Sequence, residues 1–191
     1  YRNVLGADIA FVNGGGIRVA IPKGNITYGQ VIAVHPFGNM ACVVEATGQQ
    51  ILDALEFGAR NVGKGENGGF LQVSGLTYEI HTYIESSCTA DENGLFTGVA
   101  GEYRVKNVMV GGEPLDVNKT YSLACHNYLL KNAGDGFTMF QQDTLLQDSV
   151  KLDNQVLIDY ITGTLNGVVG EEYADPYGQG RIVAVPEKPA E

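Results

Sequence analysis

Three glycine-punctuated segments of this sequence carry side chains suited to holding a ligand. The first is Asn13-Gly14-Gly15-Gly16-Ile17-Arg18. Consecutive glycines carry an entropic cost and are kept where φ must be positive or where a ligand must approach the main chain closely. Their N–H groups can line an anion-binding concavity, and the planar guanidinium of Arg18 donates to phosphate or carboxylate. A plain strand-to-loop turn explains the same residues equally well. The second segment is His35-Pro36-Phe37-Gly38-Asn39, where an aromatic ring between Pro and Gly is poorly placed to join a core. Exposed, Phe37 offers a flat face for stacking; folded back, it forms a lid over the core. The third segment runs from Asn127 and Tyr128 to Gly134-Asp135-Gly136-Phe137. There a strand ends on a polar aromatic, and Asp135 can accept hydrogen bonds from sugar hydroxyls or a base edge. It can equally cap its own turn.

Machinery for bond breaking is harder to find. The sequence has no Gly-x-Ser-x-Gly elbow and no His-Glu-x-x-His pair, and the glycines of Asn13–Arg18 form neither Gly-x-Gly-x-x-Gly nor a Walker loop. His35, His81 and His126 lie far apart, without the spacing of metal ligands. His126 flanks the third segment and reads as a packed or solvent-facing strand histidine. Cys42, Cys88 and Cys125 form no Cys-x-x-Cys pair and cannot all pair within the chain. No residue is assigned a catalytic role, and none is assigned to a metal.

The elements that must position these segments follow from periodicity and punctuation. Asp8–Asn13 reads as a short buried strand running into the glycines. Thr27 caps a short helix through Val34, stopped by Pro36. Met40–Val44 alternates as a strand. Thr47-Gly48 begins a stronger helix with Ile51, Leu52, Ala54, Leu55 and Ala59 on its apolar side. After a glycine-rich loop over 61–69 come strands at Phe70–Val73, Leu76–Thr82, Arg104–Val110 and Thr120–His126. Asp153 is the expected cap of a helix over Asn154–Leu165. Arg181–Val185 reads as a closing strand, and a Pro/Glu/Lys tail over 186–191 should fray. Helices mixed with sequential strands give an α+β fold with a mixed sheet, in one domain over 1–185.

Composition supports a globular chain: of 191 residues, 44% are hydrophobic and 18% charged. The net charge is −10, and over 141–191 nine acidic side chains face three basic ones. Such a surface repels nucleic-acid backbone and anionic lipid, so a nucleic acid polymer or a membrane is not an expected partner. A small anion, needing only one or two well-placed cations, is not excluded. The chain shows no signal peptide and does not begin with Met, so it reads as a piece of something longer.

Taken together and in order, the segments resemble the C-terminal domain of the 5′-nucleotidase family. The matching text is Asn-Gly-Gly-Gly-Ile-Arg at 13–18, Pro-Phe-Gly-Asn at 36–39, Leu-Gln-Val-Ser-Gly-Leu at 71–76 and Gly-Asp-Gly-Phe at 134–137. Thr-Gly-Gln-Gln-Ile-Leu at 47–52 and Ala-Leu-Glu at 54–56 belong to the same likeness, which covers roughly residues 3–185. The resemblance implies that Phe37 and Tyr128 sandwich a base. It implies that Asn13, Gly15 and Arg18 contact base or phosphate, and that Asp135 lies near the ribose hydroxyls. Asn127 borders the second ring and joins the expected site. The stretch from Asn127 to Asp135 is one residue longer than the common family spacing.

In that family, phosphoester hydrolysis belongs to a separate N-terminal metallophosphoesterase domain carrying two divalent ions such as Zn or Mn. The resemblance therefore implies a chain that recognises a nucleotide or nucleoside and is inactive in isolation. It also implies an extracellular, surface or periplasmic address. An autonomous nucleoside-binding module without catalysis is the alternative reading. A structural domain whose glycine loops are only turns is a third.

Overall fold

The computed structural model describes residues 1–175, 177 and 179–188. A short helix α1 (Arg2–Leu5) ends at Gly6 and leads into strand β1 (Ile9–Asn13). Helix α2 (Tyr28–Val34) and, after strand β2 (Ala41–Thr47), helix α3 (Gly48–Ala59) both begin with a complete capping box. In each, a threonine (Thr27 or Thr47) accepts from the backbone N–H three residues on, while Gln30 or Gln50 reaches back to the cap's own N–H. The chain then turns to β-structure: β3 (Leu71–Ser74), β4 (Leu76–His81), β5 (Cys88–Ala90), β6 (Phe96–Val99), β7 (Val105–Val110), β8 (Glu113–Pro114) and β9 (Thr120–His126). A four-residue helix α4 (Asn127–Leu130), edge strand β10 (Thr144–Gln147), helix α5 (Asp153–Asp159) and strand β11 (Ile182–Val185) complete the order.

The first sheet has the order β10-β2-β9-β1-β3, with β1 and β9 parallel and the other neighbours antiparallel. The second has the order β11-β4-β7-β8, with β11 parallel to β4. β5 and β6 form a separate hairpin. Side-chain alternation divides the first sheet cleanly. Ile9, Phe11, Cys42, Val44, Leu123 and Cys125 face a large core shared with α3 and with Leu76, Tyr78, Ile80 and Val105 of the second sheet. Ala10, Ala41, Val43 and Ala124 face the opposite side, where Leu5 and Val156 pack. Three alanines on that face let α1 and α5 approach closely. The architecture is α+β, as expected, with helices covering both faces of a mixed sheet.

Several expectations need correction. Asp153 is not the cap of α5 but its first residue; Leu152 is the cap, and the Asp153 carboxylate accepts from the adjacent Asn154 N–H. The helix also does not run regularly to Leu165, because Tyr160–Thr164 is π-helical. Asn127 and Tyr128 do not end a strand but open α4. The tail expectation meets Pro186–Lys188 without helix or strand; residues 189–191 lie outside the described residues. All three cysteines are free, with Cys42 and Cys125 buried opposite one another across β2 and β9.

Candidate functional site

The three sequence segments come together at the ends of β1, β2 and β9. β1 delivers Asn13, nine-tenths buried, to the edge of the site. The glycines that follow form a single 3-10 turn. A Cβ at residue 16 would sit 2.7 Å from Asn13 Oδ1, and one at residue 15 would sit 3.2 Å from Gly68 Cα. The glycines are thus required by close approach to protein, and the expected anion cradle is largely spent. Gly14 N–H donates to Phe70 O at 2.7 Å, and Gly15 N–H to Gly68 O at 2.8 Å. A donor already bonded to a carbonyl cannot also hold a phosphate.

Arg18 keeps its charge at the surface. Its backbone N–H is tied to Val34 O at the end of α2, and its guanidinium reaches Gly15 O at 3.2 Å. The guanidinium carbon stands 6.0 Å from the ring centroid of Phe37. Phe37 is 61% exposed, so the folded-back lid is excluded and the stacking face is open. Its loop is anchored at both ends. His35 Nδ1–H donates to Gly16 O at 3.0 Å, and Asp153 N–H donates to Asn39 O at 2.9 Å.

Tyr128 is delivered by α4. Asn127 N–H donates to Met40 O, and Met40 N–H donates to Asn127 Oδ1, both at 2.8 Å. Asn127 is therefore a strut between the two ring-bearing segments. The Tyr128 ring lies on Gly134, where a Cβ would come within 2.4 Å of ring carbons. Its hydroxyl donates to Asp135 Oδ1 at 2.9 Å and accepts from Asp135 N–H at 3.2 Å. Burial, and then the Asp135 carboxylate, push the Tyr128 phenol above its usual range. Asp135 itself is left-handed, with φ 53°, as is Ala133 with φ 52°. Phe137, fully buried edge-on to Phe57 at 5.3 Å, pins this loop to the core.

Asn13 is the hub. Its Nδ2 donates to Asp135 Oδ2 at 2.6 Å, and its Oδ1 meets His126 Nε2 at 3.0 Å. His126 also caps α4: its Nδ1 accepts from Leu129 N–H at 3.4 Å. Burial holds the imidazole pKa down at about 4. The sequence reads His126 as a strand histidine beside the third segment, and its capping of α4 is not a local signal because histidine is not among the usual capping residues. Two cavities of the described structure lie elsewhere. One, of about 200 Å³, is lined by Tyr1, Phe11 and Tyr160 among others; one, of about 1250 Å³, lies between residues 21–31 and 157–174. Asn13, Phe37, Tyr128 and Asp135 line neither of these two cavities, although Ile17 and His35 border the smaller one.

The family model for the 5′-nucleotidase C-terminal domain matches residues 1–142. The chain belongs to this family. Relatives of the 5′-nucleotidase family include the trifunctional nucleotide phosphoesterase protein YfkN of Bacillus subtilis strain 168. It is 34% identical over 191 residues, covering 96% of this chain and 11% of that protein. Protein UshA of Escherichia coli K12 is 30% identical over 82% of this chain and 24% of its own length. Among solved structures, a 5′-nucleotidase precursor from Thermus thermophilus superposes with a TM-score of 0.76 at 35% identity, covering 98% of this chain and 33% of that one. The chain thus spans 11% to 33% of the length of these relatives.

Proposed function

We propose that this chain is the nucleotide-recognising domain, over residues 1–185, of a 5′-nucleotidase-type phosphoester hydrolase. The observation that supports this reading is that three chemistries meet where β1, β2 and β9 end, joined by the His35–Gly16, Met40–Asn127 and Asn13–Asp135 hydrogen bonds. An exposed flat ring (Phe37) stands beside a free-facing cation (Arg18), and a carboxylate (Asp135) is held by Asn13 and Tyr128. Phe37 and Tyr128 stack the base. Asp135, whose oxygens each keep a further acceptor site, receives ribose hydroxyls. Arg18 faces the phosphate, while Gly15, its N–H spent on Gly68 O, serves to pack the loop against residues 68–70. Asn13 acts mainly by presenting Asp135, and Asn127 by spacing the rings.

Hydrolysis would belong to an N-terminal metallophosphoesterase domain and its two divalent ions. Among the described residues, no group of three or more His, Cys, Asp or Glu side chains is placed to hold a metal ion. The residues present do not fit such a centre, and no step is assigned to metal in this chain. The same reading places the protein outside the cytoplasm, at the surface or in the periplasm. No helix among the described residues is long and apolar enough to cross a membrane.

Calorimetric titration of adenosine and AMP against the chain tests the site. Binding is expected for the wild type and should weaken at least ~5-fold in Phe37→Ala, because base stacking contributes about 1–3 kcal/mol. The exposed ring contributes little to the core, so thermal stability should be unchanged. Absence of binding by the wild type would favour a purely structural domain. Phosphate release from AMP with added Mn²⁺ or Zn²⁺ should not be seen with this chain; robust turnover would sink the division of labour.

A further inference from the structure

We propose that His126 is the positioning residue of this site: in its Nε2–H tautomer it sets the Asn13 amide so that Asp135 is presented to the ribose. The proposal rests on the nucleotide reading above. It is carried by a chain of hydrogen bonds whose direction is fixed at its start. Leu129 N–H can only donate, so His126 Nδ1 must accept. The remaining ring nitrogen, Nε2, then bears the proton and donates to Asn13 Oδ1. With its oxygen so engaged, the Asn13 amide can turn only its NH₂ toward Asp135 Oδ2. Flipped, the amide would set oxygen against carboxylate and NH₂ against N–H. The orientation of a surface-facing acidic group is thus decided by a buried imidazole two links away.

The imidazole is well placed to hold one state. It is 1% exposed, with the Tyr1 ring edge-on at 6.4 Å and the Tyr128 ring at 6.0 Å. The titratable groups that act on it are His35, Asp135 and Asp153, and burial outweighs them in keeping it neutral. A second proton on Nδ1 would face the Leu129 N–H and break the α4 cap that sets Tyr128. One histidine therefore governs both the carboxylate and the ring that Asp135 holds.

The test has two independent readouts on the full chain. Imidazole ¹⁵N NMR should show His126 as the Nε2–H tautomer, without titration between pH 8 and 5. An Nδ1–H tautomer, or titration near pH 6.5, would overturn the proposal whatever the ligand does. Adenosine and 2′,3′-dideoxyadenosine are then titrated against wild type, His126→Gln and His126→Leu. His126→Leu should weaken adenosine by ~5-fold, about the loss of one hydrogen bond, and leave the dideoxy analogue within about 2-fold. His126→Gln, which keeps a side-chain N–H, should recover part of the difference. Equal loss for both ligands would make His126 merely structural and overturn the assignment, as would no loss for either. Absence of adenosine binding by the wild type would defeat the nucleotide reading, while the tautomer measurement still decides the hydrogen-bond chain.

Discussion

Both ends of the Asn13 amide are occupied inside the protein, by His126 on the oxygen and Asp135 on the nitrogen. So held, Asn13 acts on a ligand chiefly through the carboxylate it presents, with one Nδ2–H left over beyond the bond to Asp135. His126 carries a further consequence, for stability. Its folded pKa lies near 4, below the ordinary 6.5. A depressed histidine contributes stability that is fully present above pH 6.5 and is lost as pH falls from there through 4, because the unfolded chain takes up a proton the folded one refuses. The full extent is on the order of 3 kcal/mol. Denaturant unfolding of wild type and His126→Gln at pH 7 and pH 4.5 should show the wild type losing more stability than the variant across this window. Parallel losses would refute the assignment.

At the scale of elements, the helix starts at Thr27 and Thr47 were legible from the threonine and the apolar pattern after it; the structure completes each with a glutamine, Gln30 or Gln50, three residues on. α3 lies between the sheets, with Ile51, Ala54, Leu55 and Phe57 fully buried, so its cap matters to the whole core. Thr47→Ala should cost about 1 kcal/mol in denaturant unfolding, and a loss below a few tenths would show that tertiary packing alone holds the helix start. The strands bounding the site were legible from alternation and apolar runs. The fate of the three glycines was not: the N–H groups of Gly14 and Gly15 are taken by carbonyls of residues 70 and 68, more than fifty positions away. Helix α4 was hidden for a similar reason, its cap being a histidine that follows a strand without a turn. The β5–β6 hairpin was missed because its strands are short, partly exposed and carry Gly98. Local chemistry showed which residues could bind; it did not show which of their polar atoms the fold had already used.

At the scale of the molecule, β3 and β4 join the two sheets through the single residue Gly75, with φ +85°. A Cβ there would lie 2.1 Å from Asp8 O, just ahead of β1. Gly75→Ala should therefore destabilise the protein by about 2 kcal/mol or more through strain and overpacking. A melting temperature within a degree of wild type would contradict this joint. The pairing of β2 with β9 has a different consequence. Its antiparallel register, Ala41 to His126, continues one step further as Met40 to Asn127, which ties the segment after Phe37 to the start of α4. Phe37 stands in the turn three residues ahead of Met40, so the spacing of the two rings depends on that turn as well as on the ladder of the sheet. Between Tyr128 and Asp135 the chain turns left-handed at Ala133, and again at Asp135 itself. On the proposed reading, a substitution in either the turn at 35–39 or the Met40–Asn127 pair changes the opening offered to a flat ring.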